Sequence, residues 1–157
     1  MKKLMVFDLD GTVIDSDHRT PRLPDGSVDV HAFLALKTHR MVFRDTLLPL
    51  ARVMRKAHAD PSTTVAICTS RSMHDSDMHY LRFHRLGHDI LLHRAKGDFD
   101  TPDGALKVGL LKPLLDKFRS VVMFDDNLSV IDAVRALGVR VINSTFHNKR
   151  LAAMKGF

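Results

Sequence analysis

Cysteine is nearly absent. Cys68 is the one thiol in 157 residues, so no intramolecular disulfide can form and no cysteine pair is at hand to hold zinc. It lies inside the apolar run VAIC and is expected to be a small buried core residue. Long apolar runs are missing too. None approaches the roughly 18 residues of a membrane span, and the apolar stretch behind Lys2 and Lys3 breaks at Asp8, too early for a signal peptide. The expected setting is cytoplasmic and reducing, with no membrane association. There is no internal repeat, low-complexity tract or linker, so residues 1–157 are expected to form a single domain. Nothing in the chain calls for an obligate protein partner.

What is present is ordinary for a globular protein: 45% hydrophobic and 27% charged residues, which excludes a disordered chain. A formal charge of +6, with ten histidines besides, permits an anionic partner without naming one.

The informative stretch is KLMVFDLDGT, Lys3 to Thr12. A short apolar run stopped by Gly11 and Thr12 reads as a buried parallel strand. Two aspartates at its end, Asp8 and Asp10, stand where open α/β sheets keep their ligand crevice. Burying both charges is expensive unless a cation offsets them.

Further along, residues 15–31 read as loop, and 32–42 is ambiguous between short helix and strand. Residues 46–57 fit an amphipathic helix with Asp45 as N-cap. TVAICT, 64–69, is a second strand, followed by a helix ending near Gly87 and a short strand at 89–92. A helix over 105–118, a strand at 121–124, a helix over 128–137 closed by Gly138 and a last strand at 139–142 complete the pattern. The tail from Ser144 is polar. Strands alternating with helices predict an α/β fold of three layers, with a central parallel sheet of about five strands covered on both faces.

Strand ends then deliver Asp8 and Asp10, Thr69, and the pair Asp125 and Asp126 to one rim, and Lys107 comes from the helix after the third strand. Convergent carboxylates suit a hard divalent cation such as Mg2+. A threonine hydroxyl and a lysine suit a phosphate.

In that order, Asp8-Leu9-Asp10-Gly11-Thr12, Thr69, Lys107 and Phe124-Asp125-Asp126 resemble the four motifs of the haloacid dehalogenase (HAD) superfamily. The resemblance implies a Rossmann-like HAD fold and an Mg2+-dependent phosphomonoester hydrolase. Asp8 would be the nucleophile that forms an aspartyl-phosphate. Asp10 would protonate the leaving oxygen and then activate water, for which its pKa should lie above that of a free aspartate. The metal would be held by Asp8, the Asp10 backbone carbonyl, Asp125 and Asp126. Thr69, Ser70, Lys107, Arg71 and Arg94 would bind the substrate phosphate, Lys107 being preferred over Lys112 because it lies nearer the helix start. An aspartate at position 10 is what separates HAD phosphatases from dehalogenases.

Within the superfamily, Asp45-Thr46-Leu47-Leu48-Pro49, Thr69-Ser70-Arg71, the run His93 to Asp98 and Asp125-Asp126 are similar to the phosphatase domain of phage-type polynucleotide kinase-phosphatases. The GxxxxGK[ST] of a kinase half is absent. The implied substrates are nucleic-acid or nucleotide 3′-phosphates, DNA or RNA 3′ ends among them. The alternatives are a small-molecule phosphatase, such as one acting on nucleoside monophosphates, and a non-catalytic HAD-fold binding domain. Little chain is left between the motifs for a cap, which is expected to be small or absent. Arg19, Arg22, Arg71, Arg94 and Lys96 fall on loops at the rim, where a nucleic-acid backbone would pass. His74, His79, His84 and His88 do not share a helix face and read as a solvated surface. Tyr80 and Phe83 have rings able to stack on bases, but Phe83 is expected to be at least half-buried.

Overall fold

The computed structural model describes residues 1–154 and 156. Its centre is the predicted first strand, β1 (Lys3–Phe7), whose side chains alternate between two cores. Leu4 and Val6 face one cluster, Met5 and Phe7 the other. That period of two is what a strand buried on both faces requires. β1 pairs in parallel with β4 (Thr63–Thr69) on one side and β6 (Ser120–Asp125) on the other. With β5 (Ile90–His93) and β7 (Arg140–Asn143) the sheet runs β5-β4-β1-β6-β7, all parallel. The register sets Phe7 level with Ile67 and Phe124, so Asp8, Thr69 and Asp125 leave the sheet at the same edge.

Helices α3 (Leu50–Ala59), α4 (Asp75–Phe83) and α7 (Ser144–Ala153) cover one face through Leu50, Met54, Tyr80, Leu81 and Leu151. Helices α5 (Asp103–Leu111) and α6 (Leu128–Arg135) cover the other through Leu111, Val130, Ile131 and Val134. Phe7 and Phe124 stack across neighbouring strands, with centroids 5.0 Å apart and planes 11° from parallel. This is the predicted three-layer α/β architecture.

Several boundaries differ from the sequence reading. The ambiguous segment is helical: α1 (Val30–Ala35) and α2 (His39–Val42) each start where a side chain accepts from the backbone, Asp29 from Ala32 and Thr38 from Met41. Thr46 does not begin a helix. Thr46–Leu47 is a short strand, β3, antiparallel to β2 (Ile14–Asp15). Asp45 caps nothing, because both its oxygens are taken by Arg19. Pro49 stands at the entrance of α3 instead, and the Leu50 N–H donates to Asn148 Oδ1 at 2.9 Å. The helix expected to reach 118 stops at Leu111 and tightens into a 3-10 turn over Lys112–Lys117, whose Pro113 lacks an N–H. The helix after β4 stops at Phe83, before a left-handed Arg85 at φ 54°. Phe83 is 71% exposed rather than half-buried, while Tyr80 is buried and donates to the Asp45 carbonyl at 2.9 Å. The polar tail forms α7.

Between β1 and β4 the insertion holds only β2, a 3-10 turn, α1, α2 and β3 before α3. The cap is small, as predicted. Among the described residues no helix is long and apolar enough to cross a membrane.

Candidate active site

Asp8 follows β1 directly and Asp125 ends β6, and both are buried. Between them lies the Lys107 ammonium, from the second turn of α5. It is 2.7 Å from Asp8 Oδ1 and 2.7 Å from Asp125 Oδ2, with a side chain only 2% exposed. Burial alone would lower the Lys107 pKa, but the two carboxylates outweigh it and hold the lysine charged well above its ordinary range. Lys112 is not part of this contact.

Asp126 closes the group. Carboxylate oxygens of Asp8, Asp125 and Asp126 all lie within 4.8 Å of one another. One lysine does not balance three crowded acids. Burial, then Asp125 and Asp126 set against Lys107, push Asp8 well above a free aspartate, and burial with Asp125 pushes Asp126 up to about 6. Such a cluster is what a divalent cation relieves, and an all-oxygen donor set suits Mg2+. The residues present therefore fit the metal that the sequence implies. Gly11 makes room for this arrangement: its φ is +74°, and a Cβ there would stand 2.8 Å from Asp126 Cγ.

Asp10 points elsewhere. Its carboxylate accepts from Arg71 Nε at 2.8 Å, from Arg71 Nη2, and from Ser16 Oγ at 2.6 Å. Burial would raise its pKa, but the guanidinium and these hydrogen bonds win and bring it to about 2. The expectation of a raised Asp10 pKa is thus overturned: its neighbour is an arginine, not the acid cluster. Its side chain remains 35% exposed, facing the rim.

Thr69 is buried at the end of β4, and its Oγ1 accepts from the Arg71 N–H at 3.2 Å, leaving its own hydroxyl proton to donate. Ser70 Oγ is buried without a hydrogen-bond partner among the described residues. Arg94 braces two loops rather than facing an open rim. Its guanidinium donates to the Ser70 and Thr101 carbonyls at 2.7 and 2.8 Å and to Asp103 at 2.8 Å. Arg19 is fully buried in a two-armed pair with Asp45 at 2.8 and 2.7 Å. Of the five basic residues expected to meet a nucleic-acid backbone, only Arg22 and Lys96 are exposed, and Arg22 donates to the Gly26 carbonyl. Arg19 and Arg71 are drawn inward by aspartates, and Arg94 by loop carbonyls and the part-exposed Asp103, so none of the three presents a free guanidinium at the rim.

Sequence reasoning missed Ser16, Lys37, Asp77, Ser144 and Asn148, and gave Thr12 a place in the motif without a role. Thr12 Oγ1 lies 3.4 Å from Asp8 Oδ2 and 2.8 Å from Ser144 Oγ, and Asn148 Nδ2 donates to the Thr12 carbonyl at 2.9 Å. Helix α7 therefore buttresses the loop that carries Asp8 and Asp10. Thr12 is in the motif itself and was legible there. Ser144 and Asn148 lie more than 130 residues further on, without a local pattern.

Known proteins resemble this chain in sequence and in fold. Residues 1–96 match the family model described as bacteriophage T5 5′-deoxynucleotidase. The 5′-deoxynucleotidase of Escherichia phage T5 is 31% identical over 175 aligned residues, covering 97% of this chain and 71% of the phage protein. In shape, a chain in the structure of the Pnkp1/Rnl/Hen1 RNA repair complex superposes with a TM-score of 0.71 at 22% identity over 90% of this chain. The present chain spans only 42% of that one. A haloacid dehalogenase-like hydrolase from Streptococcus pneumoniae gives 0.64 at 13% identity, covering 89% of this chain and 83% of its own.

Proposed function

From the premise that the chain belongs to the bacteriophage T5 5′-deoxynucleotidase family of HAD-like phosphatases, we propose that it removes the 5′-phosphate from deoxynucleoside monophosphates. The observation that supports phosphoryl transfer is Lys107 held between Asp8 and Asp125, with Asp126 completing the acid cluster, and the likeness to the phage T5 5′-deoxynucleotidase supports the deoxynucleotide substrate. Bound there by Asp8, Asp125 and Asp126, with the Asp10 backbone carbonyl, Mg2+ would supply positive charge to the phosphoryl oxygens.

Asp8 is the nucleophile in this account. One carboxylate oxygen attacks phosphorus, the ester oxygen departs, and an aspartyl-phosphate forms. Lys107 and the Thr69 hydroxyl neutralise charge on the transferring group, and Ser70 adds a hydroxyl beside them. Beside Arg71 alone Asp10 is ionised. The proton it hands to the departing oxygen is therefore one it takes from the monoprotonated phosphate ester as substrate binds, because the ester's negative charge raises its affinity for a proton. It regains one from the water that cleaves the intermediate. Arg71 orients Asp10 rather than gripping substrate, and Arg94 fixes the loops on either side. These roles for Arg71 and Arg94 replace the direct phosphate contacts that the sequence suggested.

A phosphorylated nucleic-acid 3′ end is the second reading, favoured by the small insertion between β1 and β4. Against it, Arg19, Arg71 and Arg94 are internally paired and unavailable to a phosphate backbone. The deciding experiment compares kcat/KM on deoxynucleoside 5′-monophosphates and on a 3′-phosphorylated oligonucleotide over a salt series. The monomer reading expects higher kcat/KM on the mononucleotide with little salt dependence. Preference for the oligonucleotide, falling steeply with salt, would overturn it.

A further inference from the structure

Arg71 commits every arm of its guanidinium. Nε and Nη2 hold the two Asp10 oxygens, and Nη1 donates to Asp77 Oδ1 at 2.7 Å. Asp77 is held in turn: its Oδ2 lies 2.9 Å from Lys37 Nζ and accepts from the His74 N–H at 2.8 Å. Lys37 also donates to the Ser72 carbonyl. The Asp77 side chain is 1% exposed and that of Lys37 4%, so these are not the loose surface pairs that contribute little. Lys37 stands in the three-residue link between α1 and α2, and Asp77 is in the first turn of α4. A continuous line of ion pairs therefore runs from the insertion, through α4 and the loop after β4, to Asp10.

We infer that Lys37 and Asp77 are positioning residues for leaving-group protonation, acting on Asp10 through Arg71. The inference rests on the reading that Asp10 is the general acid. A guanidinium anchored on Asp77 can present its other two donors in one direction only, and that fixes where the Asp10 carboxyl points. Without the anchor Arg71 rotates, and Asp10 leaves the narrow range of distances, roughly 2.6–3.2 Å, over which a proton is handed to the departing oxygen.

The test uses a matched pair of aryl esters, phenyl phosphate and para-nitrophenyl phosphate, beside a deoxynucleoside 5′-monophosphate. Para-nitrophenolate departs without a proton, whereas phenolate and the nucleoside alkoxide need one. Because kcat/KM reports steps through phosphoryl transfer to Asp8, the common second step does not blur the comparison. Lys37→Met is expected to lower kcat/KM about tenfold on the nucleotide and on phenyl phosphate, a part of the roughly 10²–10⁴ that a general acid contributes. On para-nitrophenyl phosphate the loss should stay below about twofold, and Lys37→Arg should recover most of it. Asp77→Asn should show the same pattern where its circular dichroism matches wild type. If it does not fold, Lys37→Met decides alone. Equal losses on all three substrates, or none on any, would overturn the inference. Asp10→Asn is the control that separates the two claims. If it too hits all substrates alike, the assignment of Asp10 as acid falls, and the relay with it. If Asp10→Asn discriminates and the Lys37 variant does not, only the relay falls.

Discussion

Replacing Lys107 by methionine keeps the side chain's length and removes its charge from between two buried carboxylates. Each contact is 2.7 Å, which at an effective dielectric near 20 corresponds to about 6 kcal/mol of attraction. Desolvating the ammonium opposes this by several kcal/mol. The balance predicts that Lys107→Met destabilises the metal-free protein by roughly 3–5 kcal/mol, as for other buried pairs that lose one partner. A divalent cation on Asp8, Asp125 and Asp126 would take over part of that neutralisation. Urea denaturation should therefore show the full loss with chelator and under about half of it in saturating magnesium. Turnover should fall by about 10²–10³ even with magnesium, since the charge facing the phosphoryl group is gone. A loss below about 1 kcal/mol in chelator, or the same loss in both conditions, would refute the electrostatic reasoning.

Three further outcomes are expected. Gly11→Ala, forced into φ +74° and against the Asp126 carboxylate, should destabilise the protein by about 1–2 kcal/mol and weaken magnesium binding in a calorimetric titration. Asp126 is raised to about 6 by burial and Asp125, so its contribution to stability is full below pH 3.8 and lost as pH rises through about 6. Discounted for its exposed part, the Asp126 share of the decline should be about 1–2 kcal/mol in metal-free protein. Asp8, raised too by burial, adds a decline of the same sign, so the Asp126 share is read as the amount by which Asp126→Asn flattens the wild-type curve in denaturation at several pH values. Asp10, lowered to about 2, has the opposite sign, but its stabilisation is lost only below pH 3.8 and does not mask the effect. Phe7→Ala removes a fully buried ring stacked on Phe124 and should destabilise by about 3–5 kcal/mol in the same assay.

The sheet was legible because its strands are short apolar runs closed by polar residues, and Asp8, Thr69 and Asp125 stand where those runs end. Their convergence follows from parallel pairing alone. Lys107 was legible only through its place near a helix start. Asp10 shows what local sequence leaves out. Its acid neighbours at 8, 125 and 126 are near in motif order, yet the partner that sets its charge is Arg71, delivered by β4. The arginines were misread for the same reason: a loop arginine in sequence looks solvent-facing, and only tertiary contacts revealed that Asp45, Asp77 and Asp103 claim them. Thr46 was drawn into a helix by the periodicity of Leu47, Leu50 and Met54. Pairing with Ile14 and Asp15 overrode that local preference. Lys37, in a segment with no clear period, carried no local pattern.

The most direct test of the account is a rapid acid quench of the enzyme turning over a deoxynucleoside monophosphate radiolabelled in its 5′-phosphate, followed by peptide mapping. Label bound covalently at Asp8, absent in Asp8→Asn and chased by unlabelled substrate, is the predicted result. Full turnover with no labelled peptide, or label at another residue, would contradict it.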